Sequence, residues 1–240
     1  MHILLIGATG RNGTLVLSEA LSRNHTITAL VRDPTTTSLP PHKNLTLVKG
    51  SPLSLPNLKS AMQTTTTPPD AIIITLNPRR LTDSPFSALD PNTPPALLHD
   101  SVANTLQAIK TLNLPRAPKL VINSMQGAGA SSKSLIYPLR ALFNHTNMKH
   151  TLDDHNAVDA LFRGNGNDND NGDAAGKDVE WVLVRPPMLT EGEGLPVKVY
   201  DDEGSGVCWM PKITRRSVAG FMVDAVEKDD WNRSAPVITN

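Results

Sequence analysis

The first sixteen residues, Met1-His-Ile-Leu-Leu-Ile-Gly-Ala-Thr-Gly-Arg-Asn-Gly-Thr-Leu-Val16, restrict the fold more than any other stretch of the chain. Ile3 to Ile6 is a continuous apolar run of strand length, which suits a strand covered on both faces. From Thr14 to Leu21 the spacing turns helical. Gly7, Gly10 and Gly13 lie between. Glycines at a strand-to-helix junction let the backbone turn tightly and approach a pyrophosphate, whose charge then rests on the free N–H groups of the helix start. The spacing is G-x-x-G-x-x-G rather than the more familiar G-x-G-x-x-G, but its place after a strand and before a helix is the context the fingerprint needs. The segment predicts a dinucleotide cradle in which Gly7, Thr9, Gly10, Arg11, Asn12 and Gly13 meet the ligand.

Downstream, strand and helix signals alternate. Strands are expected at Thr26 to Val31, Leu45 to Val48, Ala71 to Leu76, Lys119 to Ile122 and Val179 to Arg185, and a last strand or tail at Pro236 to Thr239. Helices are expected at Leu55 to Met62, Pro95 to Leu112, Asn147 to Phe162 and Ile213 to Glu227. This order predicts an α/β fold of the Rossmann type, a doubly wound parallel sheet, with residues 1–240 forming a single NAD(P)-binding domain. Arg79 to Pro95 reads as a long loop at the ligand face. Residues 164–178 are a Gly/Asn/Asp-rich run that cannot bury enough apolar area to order itself, so they are expected to be a flexible insertion. That run lacks the spacing of a calcium loop, and no metal site is expected. Residues 189–212 carry Gly192, Gly194, Gly204 and Gly206 with Tyr200 and Trp209, and predict a small substrate-facing lobe whose aromatics either stack a flat substrate or form a mini-core.

Charge narrows the partner. Lys+Arg and Asp+Glu both total 23, so no net basic field argues for nucleic acid or a membrane surface, and a small-molecule substrate is expected. No stretch reaches membrane-span length, and the single cysteine, Cys208, excludes an internal disulfide and reads as a packing residue. A cytoplasmic protein is expected. For the cofactor, Arg32 falls 19 residues beyond Gly13, where an arginine accommodates the 2′-phosphate of NADP, and Arg11 reaches the same region. Asp33 either serves the ribose, as in an NAD enzyme, or caps the turn before Pro34. The two cations favour NADP(H). Asn77, at the end of the fourth strand, is either a cofactor contact or a turn residue before Pro78.

The fifth strand delivers Ser124 to the ligand crevice, where its hydroxyl can donate to a substrate carbonyl or touch the cofactor. Tyr137 follows 13 residues later, an interval resembling that of the short-chain dehydrogenase/reductases. A lysine four residues beyond that tyrosine would lower its pKa, but the position holds Ala141, and an unassisted phenol is a poor base at neutral pH. Arg140 is the one nearby cation that can compensate. On the helix near residue 155, His155 is either a proton donor or a core histidine satisfied by Asp159 at i+4, and Lys149 and Asp154 are alternatives for the crevice.

Gly-Ala-Thr-Gly-Arg-Asn-Gly13, Val-Arg-Asp-Pro34, Trp-Val-Leu-Val-Arg-Pro-Pro187 and Ile-Thr-Arg-Arg-Ser-Val-Ala219 together resemble the NmrA-like, atypical branch of the short-chain dehydrogenase/reductases, nearest the flavin reductase and biliverdin reductase type and including forms of fungal biosynthetic pathways. The resemblance spans most of the chain. It implies an NADP(H)-binding Rossmann fold in which many members lack the Tyr-Lys pair, with Pro187 and Met188 against the cofactor. In the biliverdin reductase type a histidine can follow the Pro-Pro; Met188 stands there in this chain. The expected function is that of an NADP(H)-dependent oxidoreductase acting on a small aromatic or polyketide-like carbonyl or enone compound. A non-redox isomerase, cyclase or dehydratase on the same fold is the first rival, and an NADP(H)-sensing regulatory protein the second.

Overall fold

The computed structural model describes residues 1–82, 84–164 and 174–240. Its centre is a sheet of parallel strands β1 (His2–Ile6), β2 (Thr26–Val31), β3 (Leu45–Lys49), β4 (Ala71–Ile74), β5 (Lys119–Asn123) and β6 (Trp181–Val184), in the spatial order β3-β2-β1-β4-β5-β6. The order reverses between β1 and β4, and the reversal opens the crevice at which ligands bind in such sheets. This is the Rossmann-type α/β fold that the alternation predicts.

Strand residues alternate between two cores. Ile3, Leu5, Ile73, Val121 and Val182 point to the side covered by α1 (Arg11–Ser22) and α6 (Arg215–Glu227). Leu4, Ile6, Ile72, Ile122 and Leu183 point to the side covered by α2 (Leu55–Met62), α3 (Leu97–Leu112) and α5 (Met148–Arg163). The central strands are fully buried on both faces, which is why their sequences are unbroken apolar runs. A third, smaller core sits apart. It is made by a 3-10 helix (Gly129–Ser134), α4 (Tyr137–His145) and the first half of α5, through Ala128, Leu135, Phe143 and Leu152. Sequence reading missed α4, whose Tyr-Pro start supplies the N-terminal proline that suits a first turn.

Beyond β6 the chain forms two small two-stranded sheets: β7 (Met188–Thr190) beside β9 (Lys212–Thr214), and β8 (Lys198–Tyr200) beside β10 (Val237–Thr239). Trp209 is 71% exposed, so it is not the centre of a mini-core, and Cys208 is exposed rather than packed. The expected insertion at 164–178 falls mostly on 165–173, outside the described residues. Both flanks are anchored on the end of α5: Gly164 N–H donates to the Ala160 carbonyl (2.9 Å) and Gly176 N–H to the Leu161 carbonyl (3.0 Å). Gly176 is buried against the Phe162 ring, where a Cβ would overlap it.

Asp154, one candidate for the crevice, is used elsewhere. The N-cap residue of α3 is Ala96, which offers no side-chain acceptor. Buried Asp154 of α5 takes that role, its carboxylate accepting from the N–H groups of Leu98 (2.9 Å) and His99 (2.8 Å). Lys149 meanwhile pairs with Asp153 on the surface (2.6 Å). Burial lifts the Asp154 carboxyl above its usual pKa range, so the two amide bonds offset only part of the lost hydration. Asp154→Ala should lower the unfolding free energy by about 1–2 kcal/mol. A urea titration that returns the wild-type midpoint would refute this cap.

Candidate functional site

At the reversal point the backbone of β1 runs into the glycine turn. Gly7 has φ +94°, and a Cβ there would stand 2.7 Å from the Thr75 hydroxyl. A Cβ on Gly13 would overlap the Gly7 carbonyl oxygen and come within 2.9 Å of the same hydroxyl. Both glycines therefore exist so that α1 can start in contact with the turn. Gly10 is the N-cap of α1 and its N–H donates to the Gly7 carbonyl (3.0 Å). No side chain caps this helix and no acidic residue lies in its first turn. Its leading N–H groups, with the positive end of the helix dipole, fit a diphosphate.

Thr75 was not singled out by sequence. It is buried one residue beyond β4, and its hydroxyl lies 3.3 Å from the Ile6 carbonyl and 3.2 Å from the Gly7 carbonyl, donating to the turn itself. Only the pairing of β4 with β1 brings it there. Asn77, two residues on, is exposed.

Thr9 and Arg11 are exposed at the turn. Asn12 is buried and its Oδ1 accepts from Arg215 Nη1 (2.8 Å), while Arg215 Nε reaches Glu191 (2.8 Å). The Asn12 side chain thus ties the turn to α6 and to the segment after β7. Arg32 is exposed immediately past β2. Of the two roles open to Asp33, the turn role is occupied: its carboxylate accepts from the Thr35 hydroxyl (2.7 Å) and N–H (3.0 Å), bonds that hold its pKa below the usual range.

On the other side of the reversal, the loops after β5 and β6 are laced together. Ser124 N–H donates to the Val184 carbonyl (2.7 Å) and Gln126 N–H to the Pro186 carbonyl (2.9 Å). These bonds bring buried Ser124 alongside the Pro186-Pro187-Met188 segment, with Pro187 half-buried and Met188 49% exposed. Asn123, in register with Val184, is buried, and its Oδ1 has no hydrogen-bond partner among the described residues. A buried amide oxygen without a donor is unfavourable unless a ligand supplies one.

Tyr137 begins α4 and is 82% exposed. Arg140 is engaged elsewhere, its Nη2 donating to the Ser132 carbonyl (2.7 Å). His155 is wholly buried on α5, but Asp159 is not its partner. Asp159 is instead bound to Arg185, whose side chain is 0% exposed and whose Nη1 also donates to the Asp202 carbonyl (2.9 Å). A cation this deep needs a carboxylate, and the demand outranks that of a neutral imidazole. Gly129 leaves the room: a Cβ there would lie 2.5 Å from Arg185 Nη2. Burial, with the neighbouring Arg185 charge, pushes the His155 imidazole down to about 4, and its Nδ1 has no partner among the described residues. At neutral pH it is an uncharged ring.

Strand, uncapped helix start, and a turn closed to any side chain at Gly7 and Gly13 make a nucleotide cradle, and the model of the NAD(P)H-binding family matches residues 7–229. The chain belongs to that family. Solved structures agree in fold. The anaerobillin reductase ChuY of Escherichia coli O157:H7 superposes with a TM-score of 0.72 at 13% identity, over 100% of this chain and 97% of that one. The oxidoreductase ylbE of Lactococcus lactis gives 0.69 at 18% identity, over 100% and 91%. A Rossmann-fold NAD(P)-binding family protein of Shigella flexneri gives 0.62 at 18%, over 100% and 93%. A search of the curated proteins finds no match. Among the described residues, no helix is long and apolar enough to cross a membrane and no cluster of His, Cys, Asp and Glu suits a metal ion.

Two measurements test the close approach at the turn and the burial of His155. Gly13→Ala places a methyl against backbone that cannot yield, so NADPH binding, followed by fluorescence, should be lost together with several degrees of thermal stability; retention of both would contradict the close approach. His155 titrates near 6.5 when unfolded and near 4 when folded, so its contribution is complete above pH 6.5 and disappears as pH falls towards 4. The stability difference between wild type and His155→Gln should shift against the wild type by about 3 kcal/mol across that interval. Parallel urea curves for the two proteins at all pH values would rule it out.

Proposed function

We propose that this protein is an NADP(H)-dependent oxidoreductase of the NmrA-like, atypical short-chain dehydrogenase/reductase type, acting in the cytoplasm on a small, planar aromatic or polyketide-like carbonyl or enone compound. The observation that carries the reading is the pairing of an uncapped, glycine-lined cradle with an exposed Arg32, beside which Asp33 has its Oδ1 engaged by Thr35. An exposed arginine at the far ribose favours a 2′-phosphate. Arg11, exposed at the start of α1, is the second cation that the sequence reading assigns to this region.

Exposed apolar side chains in segments that follow the strands support the substrate class: Leu81 and Phe86 after β4, Met188 after β6, and Trp209 with Met210 in the lobe. Bound in the cradle, the nicotinamide cofactor supplies a hydride. The chain's own part is to hold the diphosphate on the N–H groups of α1, to present Ser124 as a hydrogen-bond donor beside the β5 and β6 ends, and to offer Asn123 Oδ1 as an acceptor. The reductase neighbour ChuY is consistent with this chemistry.

Turnover of NADPH over a panel of quinones, flavins and phenolic ketones is the direct test, and no oxidation across the panel would sink the redox assignment. For the cofactor, Arg32→Ala should weaken NADPH at least about tenfold while leaving NADH within about twofold. Equal weakening of both would refute the phosphate role.

A further inference from the structure

Helices α1 and α6 lie side by side and run in the same direction. At one end Arg215 Nη1 donates to Asn12 Oδ1 (2.8 Å), and at the other Arg23 Nη1 pairs with Asp224 (2.6 Å) and Glu227 (2.7 Å). Both N-termini therefore meet at the glycine turn. The first amide bond of α1 runs from Thr14 N–H to the Gly10 carbonyl (2.9 Å), so the N–H of Asn12 stands ahead of the helical ladder, on the very residue that Arg215 grips.

The charge at this junction has the wrong sign for helix stability. The positive end of a helix dipole favours an acidic side chain. Neither first turn holds one, and α6 opens instead on Arg215-Arg216. The compensating carboxylates come from the loop after β7: Glu191 lies 2.8 Å from Arg215 Nε, and Glu193 lies 3.6 Å from Arg216 Nε. Both glutamates are exposed, so water screens their charge, while the Arg215 side chain is largely withdrawn from solvent. A neutral donor would suffice to hold Asn12. A guanidinium set between two positive helix ends, against one exposed carboxylate, suits a phosphate group that arrives from outside.

We propose that Arg215 is a cofactor-binding residue whose guanidinium keeps Asn12 and exchanges Glu191 for the diphosphate of the nucleotide. Glu191 is then an internal competitor for the cation, and its loop is released when the cradle fills. The assignment rests on the nucleotide site of the NAD(P)H-binding family. It is independent of the 2′-phosphate preference and of the reaction, because the diphosphate is common to NADH and NADPH.

Fluorescence titration of the full chain with NADPH and with NADH tests it. Arg215→Gln should weaken both about tenfold or more and by the same factor, whereas loss of a 2′-phosphate contact affects NADPH alone. Glu191→Gln should tighten both about threefold, because it frees the guanidinium, and the gain should vanish in the double variant. The sign separates this role from a structural tie: were Glu191 only a brace for Arg215, its removal would loosen the turn and weaken binding. Full affinity in Arg215→Gln, or unchanged or weaker binding in Glu191→Gln, would overturn the proposal and leave the cradle standing. If Arg215→Gln fails to fold, as judged by circular dichroism, Glu191→Gln decides alone, since it alters an exposed side chain. No binding of either nucleotide by the wild type would remove the cradle and the proposal together.

Discussion

Backbone meeting backbone at Gly13 and Gly7 is the constraint from which the ligand end of the molecule follows. With no side chain between them, α1 begins directly on the turn after β1 and aims its unbonded N–H groups at the crevice. Thr75 holds the turn from the neighbouring strand, and Asn12 holds it from the C-terminal helix through Arg215. Residues more than two hundred apart in sequence thus converge on the segment Gly7 to Gly13.

Opposite the cradle, a buried cation plays the organising part. Arg185 joins the end of β6 to Asp159 on α5 and to the Asp202 carbonyl in the lobe, and Arg163 adds a second link to Asp202. Ionic contacts at this depth are expensive to desolvate, and they tolerate little displacement of either partner. The lobe is therefore fastened to the sheet by directional bonds where it has little apolar core of its own, which leaves Trp209 and Met210 at the surface.

How much of this was legible in the sequence depended on the range of the interaction. The strands and the helices flanking the sheet were readable because burial on two faces writes unbroken apolar runs, and burial on one writes a stripe. The glycine turn was readable because its requirement is local. Arg185, Asp159 and His155 were not, although His155 and Asp159 are four apart on one helix: the competition for the carboxylate is decided by a strand that arrives later in the chain. Thr75 and the orphaned Asn123 oxygen are equally silent in sequence, since their meaning comes from strand neighbours. Asp154 looked like a crevice residue because a carboxylate that caps a different helix leaves no spacing signal. The helix α4 was overlooked because it is short and its apolar face serves a small separate core.

The two anchors on the end of α5 have a consequence for how this chain tolerates change. Gly164 and Gly176 bond to carbonyls of adjacent residues, Ala160 and Leu161, so the main chain departs from and returns to the same place. β6 is thereby entered from a fixed point on α5, so a peptide grafted between Gly164 and Gly176 is expected to leave the sheet register and the Arg185 contacts in place.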